Sequence, residues 1–185
     1  MIKNVWIRVI GALVVFIFAN SASGVLFDFE DLALNDGPVE IGLYMTDVYG
    51  SSVTVTDGIV HNTGILGDDK YVHGCESGPH IISICFDVVA ISSVSFDWAM
   101  ELDEFNAYAN DDEEPFFHRA YSWPGESGSS GTVVFDSPVN CLTFSDGGSW
   151  GQIEVDNIVV TSIPELTVMV LLGFGALSIL RKRKR

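Results

Sequence analysis

The chain has 185 residues, with 25 Asp and Glu against nine Lys and Arg, a formal net charge of −16. All the acids but Glu165 lie between Asp28 and Asp156, where Lys70 and Arg119 are the only cations. A surface this anionic repels phosphate backbones and excludes nucleic-acid binding, while the interleaved Val, Ile, Phe and Trp exclude a disordered acidic tail. In chain order, residues 1–23 come first and read as a secretory signal peptide. Lys3 and Arg8 give a positive start, Val9 to Ala19 an apolar run too short for a comfortable membrane span, and Ser21, Ala22 and Ser23 a small-residue cleavage region.

Residues 24–161 are long enough for one buried core and carry a strand-like pattern. Val53 and Val55 alternate with Thr54 and Thr56, and Asp57-Gly58 follows as a turn. Ile82, Ile84 and Phe86 alternate with Ser83, Cys85 and Asp87; Val94, Phe96 and Trp98 alternate with Ser95 and Asp97. Residues 98–110 offer the one stretch open to a helix, but Asn106 and the lack of a cap favour strand plus loop. The acidic loop 110–115 and the Ser/Gly stretch 125–131 are exposed connections, and Thr132 to Phe135 is a short β-branched run. Leu142 and Phe144 precede a turn at Asp146-Gly147-Gly148. The last strand holds Ile153 and Val155, then Ile158 and Val160; the change of parity at Asp156-Asn157 predicts a bulge. Short strands with frequent turns predict an all-β ectodomain, an antiparallel sandwich or jelly roll.

The opening Phe27-Asp28-Phe29-Glu30-Asp31-Leu32 and the closing residues 153–160 resemble the first and last strands of galactose-binding-like jelly rolls. That resemblance implies a structural calcium shared by the terminal strands, with Glu30, Asp31 and Asp156 at the matching positions. Calcium takes six to eight oxygens, which carboxylates and backbone carbonyls supply. The plainer alternative has Glu30 and Asp156 facing solvent on edge strands.

Three cysteines enter an oxidising compartment if the chain is exported. A Cys75–Cys85 disulfide closing the loop around Gly78-Pro79 is favoured, with Cys85–Cys141 across neighbouring strands as the rival pairing. A zinc site from His73, Cys75, His80 and Cys85 fits no standard spacing. Trp123 and Trp150 lie in Gly/Ser-rich loops, where each ring either stacks on a sugar or caps the core. No nucleophile motif is present and the carboxylates crowd into loops, so the chain reads as non-catalytic.

Residues 162–185 carry a different signal. Pro164-Glu165-Leu166 leads into an uncharged stretch, residues 166–180, followed by five cations, Arg181, Lys182, Arg183, Lys184 and Arg185. As a helix that stretch spans about 22 Å at 1.5 Å per residue, short of a hydrocarbon core of about 30 Å, and basic flanks snorkel to make up the difference. The terminal cations hold that end in the cytoplasm. Pro164-Glu165, a short Leu/Gly-rich span and a basic end together resemble a PEP-CTERM sorting signal. The archetypal motif ends in proline where this chain has Leu166. The resemblance implies an exosortase and the export machinery as partners, passage across the inner membrane of a Gram-negative bacterium, transient anchoring, and delivery to the cell surface or matrix.

The expectation is a non-catalytic surface or matrix protein contacting exopolysaccharide. The alternatives are a secreted polysaccharide-active hydrolase and a calcium-dependent carbohydrate-binding module.

Overall fold

The computed structural model describes residues 24–62, 64–66, 70–74, 81–87, 90–101, 104–120, 124–147 and 152–162. The signal segment, the Pro164–Leu166 motif, the apolar stretch and the basic end lie outside the described residues, as do Cys75, His80, Trp123 and Trp150. Among the described residues, no helix is long and apolar enough to cross a membrane.

The elements are β1 (Gly24–Phe27), α1 (Pro38–Tyr49), β2 (Val53–Thr56), β3 (Ile59–His61), β4 (Tyr71–His73), β5 (Ile81–Phe86) and β6 (Ile91–Glu101), then β7 (Phe105–Ala109), β8 (Phe117–Arg119), β9 (Glu126–Ser129), β10 (Val133–Val139), β11 (Cys141–Asp146) and β12 (Gln152–Ser162). They form two antiparallel sheets, as the alternation predicts. One runs β2-β5-β11-β7-β8. The other has seven strands, with β6 and β12 at its centre and β3, β4 on one side. Its two long strands each serve two short neighbours: β6 pairs β10 and then β9, and β12 pairs β4 and then β1. Asp57 and Gly58, both at positive φ (59° and 102°), carry the chain from β2 in one sheet to β3 in the other.

Each strand turns its apolar residues inward, because side chains alternate faces along a pleated strand. Ile82, Ile84, Leu142 and Phe144 meet Val94, Phe96, Ile153 and Val155 in one core, all at most 1% exposed. Phe96 anchors it, edge-on to Phe144 at 5.0 Å and to Phe117 at 5.4 Å between ring centroids. Trp98, 2% exposed, belongs to the same core.

Helix α1 was not expected from the alternation. Pro38 at its first turn, a Glu40 carboxylate accepting from the Gly37 N–H at 3.2 Å, and Gly50 in the left-handed conformation at its end define it. It buries Ile41, Gly42 and Met45, and Gly42 lets the helix approach the β2 backbone.

The predicted bulge is present. Between two register pairs, Asp156↔Asp97 and Val159↔Ser95, β12 spans one residue more than β6, and Asn157 sits at φ 48°. Gly24 pairs with Thr161, so the two ends of the sandwich lie side by side.

The favoured disulfide is corrected. Cys85 bonds Cys141, not Cys75, with Cα atoms 4.1 Å apart. The reason is register: β5 and β11 place these two residues directly opposite on one face, while the bonded Cys85 leaves no thiol for Cys75.

Candidate functional site

The two sheets present outer faces of opposite character. On the seven-stranded sheet, Asp97, Glu101, Glu154 and Asp156 share the outer face of β6 and β12, because Asp156 pairs with Asp97 and Glu154 with Ala99. Two of these acids are buried: Glu154 is 3% exposed and Asp156 is 4% exposed. The Glu154 carboxylate accepts the backbone N–H groups of Ile65 and Leu66 at 3.1 and 2.9 Å. Burial nevertheless raises its pKa, against the lowering effect of those two bonds.

Asp156 lies at the bulge. Asn157 Nδ2 donates to Asp156 Oδ2 at 3.2 Å and to Asp97 Oδ2 at 3.0 Å. Asp156 Oδ1 is buried without a hydrogen-bond partner among the described residues. Burial, then the charges of Asp97, Glu30 and Asp28, push its pKa up to about 7.

The terminal-strand acids named as calcium ligands are therefore partly brought together. Glu30 and Asp156 lie within electrostatic reach, and Asp31 is exposed. Several oxygens of the Asp28–Leu32 turn accept from protein donors. Tyr44 Oη donates to Asp28 Oδ1 at 3.0 Å, and burial followed by that bond pushes the phenol up to about 12. Lys70 Nζ donates to the carbonyl oxygens of Glu30 and Leu32. Among the described residues no group of three or more His, Cys, Asp or Glu is placed to hold a metal ion. The donor set does not fit the expected calcium, because the backbone carbonyls that would complete it, those of Glu30 and Leu32, already accept from an ammonium and Asp31 is exposed. The zinc alternative loses Cys85 to the disulfide.

The outer face of the five-stranded sheet is different. Register places Thr56, Ser83, Thr143 and Tyr108 in one row across β2, β5, β11 and β7. A second row holds Ile81, Ser145, Asn106 and His118, and a third holds Thr54 with the Cys85–Cys141 bond. None of these strand positions is acidic, and the nearest carboxylate, Glu104 just before β7, lies 3.9 Å from His118 Nδ1 at the edge of the second row. Ser83 Oγ and Thr143 Oγ1 are 2.6 Å apart, and Asn106 Oδ1 and His118 Nδ1 are 2.7 Å apart. Tyr108 is half-buried, so one part of its ring faces solvent at the end of the hydroxyl row. Alternation marks Ser83 as outward-facing, but only the strand order sets Thr143 and Tyr108 beside it.

No family model matches the chain, and no curated protein matches it. Solved structures of family 29 carbohydrate binding modules are similar to it. A variant of one module complexed with cellulohexaose is 14% identical, covers 77% of this chain and 92% of its own, and gives a TM-score of 0.48. A variant complexed with mannohexaose is 13% identical, covers 76% and 92%, and gives 0.46. A further family 29 module is 14% identical, covers 76% and 88%, and gives 0.46.

Proposed function

We propose that this chain is a non-catalytic, exported surface or matrix protein that binds an uncharged stretch of exopolysaccharide on the outer face of its five-stranded sheet. One observation carries the reading: in a chain with 25 acids, the row Thr56, Ser83, Thr143 and Tyr108 and its flanking rows hold none. Hydroxyl groups both donate and accept, which suits the equatorial hydroxyls of a sugar, and a half-exposed phenol ring offers an apolar face to the sugar's C–H groups.

Export and sorting belong to the same proposal. The signal segment 1–23 and the PEP-CTERM-like tail with Pro164, Glu165, Leu166 and the basic end support it from the sequence. The Cys85–Cys141 bond agrees with an oxidising compartment. The ectodomain lies outside the inner membrane, anchored until an exosortase releases it.

Affinity electrophoresis of the purified protein in gels carrying neutral or anionic polysaccharide tests the binding claim. Retardation by a neutral polysaccharide, lost in Tyr108→Ala, is the expected result. Equal mobility in every gel contradicts it.

A further inference from the structure

We infer that the Lys70 ammonium is the cation of the terminal-strand site, built into the chain, and that joining β1 to β12 needs no divalent metal. Lys70 is one of only two cations between Asp28 and Asp156. It is tied to a single turn by three bonds. Its Nζ donates to the carbonyl oxygens of Glu30 and Leu32, the latter at 2.6 Å, and its backbone N–H donates to Glu30 Oε1 at 2.8 Å.

Two backbone carbonyls and a carboxylate on one turn are the oxygen donors a hard cation takes. The Lys70 ammonium, with three N–H donors and no acceptor, takes the two carbonyls, and the Lys70 backbone N–H takes the carboxylate. The surroundings call for positive charge, since Asp28, Glu30 and Asp97 all act on Asp156. Asp28 itself is held by Tyr44 and so is not waiting for a metal. A divalent ion on the carbonyl oxygens of Glu30 and Leu32 would have to expel the ammonium or sit beside it, and like charges at that separation repel. The turn that leads out of β1 is thus fixed by the segment just before β4, and both strands pair with β12.

Thermal unfolding of the purified full-length protein, in EDTA and in millimolar calcium chloride, tests this. A calcium ion held at about a hundred times its dissociation constant would raise the midpoint by roughly 5–10 °C. The expected wild-type midpoint is the same in both buffers; a shift of that size overturns the inference. Lys70→Met should unfold at lower temperature in EDTA, with calcium recovering part of the loss. A Lys70→Met midpoint equal to wild type also overturns it. The wild-type comparison decides the question even if Lys70→Met does not accumulate.

Discussion

Cys141 stands directly opposite Cys85 on the neighbouring strand, Cα atoms 4.1 Å apart, on the outer face of the five-stranded sheet. The bond closes a stretch of 56 residues. In the chain-entropy account a loop of that size constrains the unfolded chain by about 4 kcal/mol.

Removing the bond, as Cys85→Ala with Cys141→Ala, should lower stability by roughly 2–4 kcal/mol in denaturant unfolding. Thiol titration of the denatured, unreduced protein should find one free thiol, at Cys75, and peptide mapping should recover Cys85 linked to Cys141. Recovery of Cys75 linked to Cys85 would contradict the fold's register.

Asp156 predicts a pH dependence. Its folded pKa, about 7, lies above the ordinary 3.8, so between those values the folded state binds more protons than the unfolded one. Its stabilising contribution is fully present below about pH 4 and is lost as pH rises through 7. Asp156→Asn removes that slope. The difference in melting temperature between Asp156→Asn and wild type should therefore grow in the variant's favour from pH 4 to pH 8. A difference that shrinks with rising pH would mean that Asp156 is ionised and well paired in the fold.

Gly64→Ala should destabilise. A Cβ there would overlap the Glu154 carboxylate and the Tyr71 hydroxyl, both on buried residues, and the carboxylate is held in place by the Ile65 and Leu66 N–H groups. Overpacking of this kind costs about 1–3 kcal/mol, measured as a lower denaturant midpoint at unchanged slope. An unchanged midpoint would show that the segment at Gly64–Leu66 can lift off the sheet.

These sites differ in how far the sequence discloses them. The strands are legible because both sheets have one wet and one dry side, so Ile82, Ile84, Phe86 and Val94, Phe96, Trp98 each write a period of two. The bulge is legible for the same reason: one extra residue at Asp156-Asn157 reverses the parity. Helix α1 is not, because Ile41, Gly42 and Met45 form a narrow buried stripe and Val39 and Leu43 stay exposed. Its signals are in the caps, Pro38, Glu40 and Gly50, not in its hydrophobicity.

Long-range register is the part alternation cannot reach. It decides that Cys85 meets Cys141, and that Thr143 lies between Ser83 and Tyr108. It also sends Asp97 and Asp156 to the opposite side of the molecule from that row. The binding of Lys70 to the Glu30 turn spans 40 residues and is set by where β4 docks on β12, which no local pattern encodes.

Amide chemical-shift mapping during titration of the isotope-labelled protein with a neutral oligosaccharide bears most directly on the division between the two faces. Shifts should concentrate at Ser83, Tyr108 and Thr143 and leave Asp97, Glu154 and Asp156 unmoved. Shifts confined to the acidic face, or none at saturating sugar, would contradict the proposal that the hydroxyl-lined face is the one that binds.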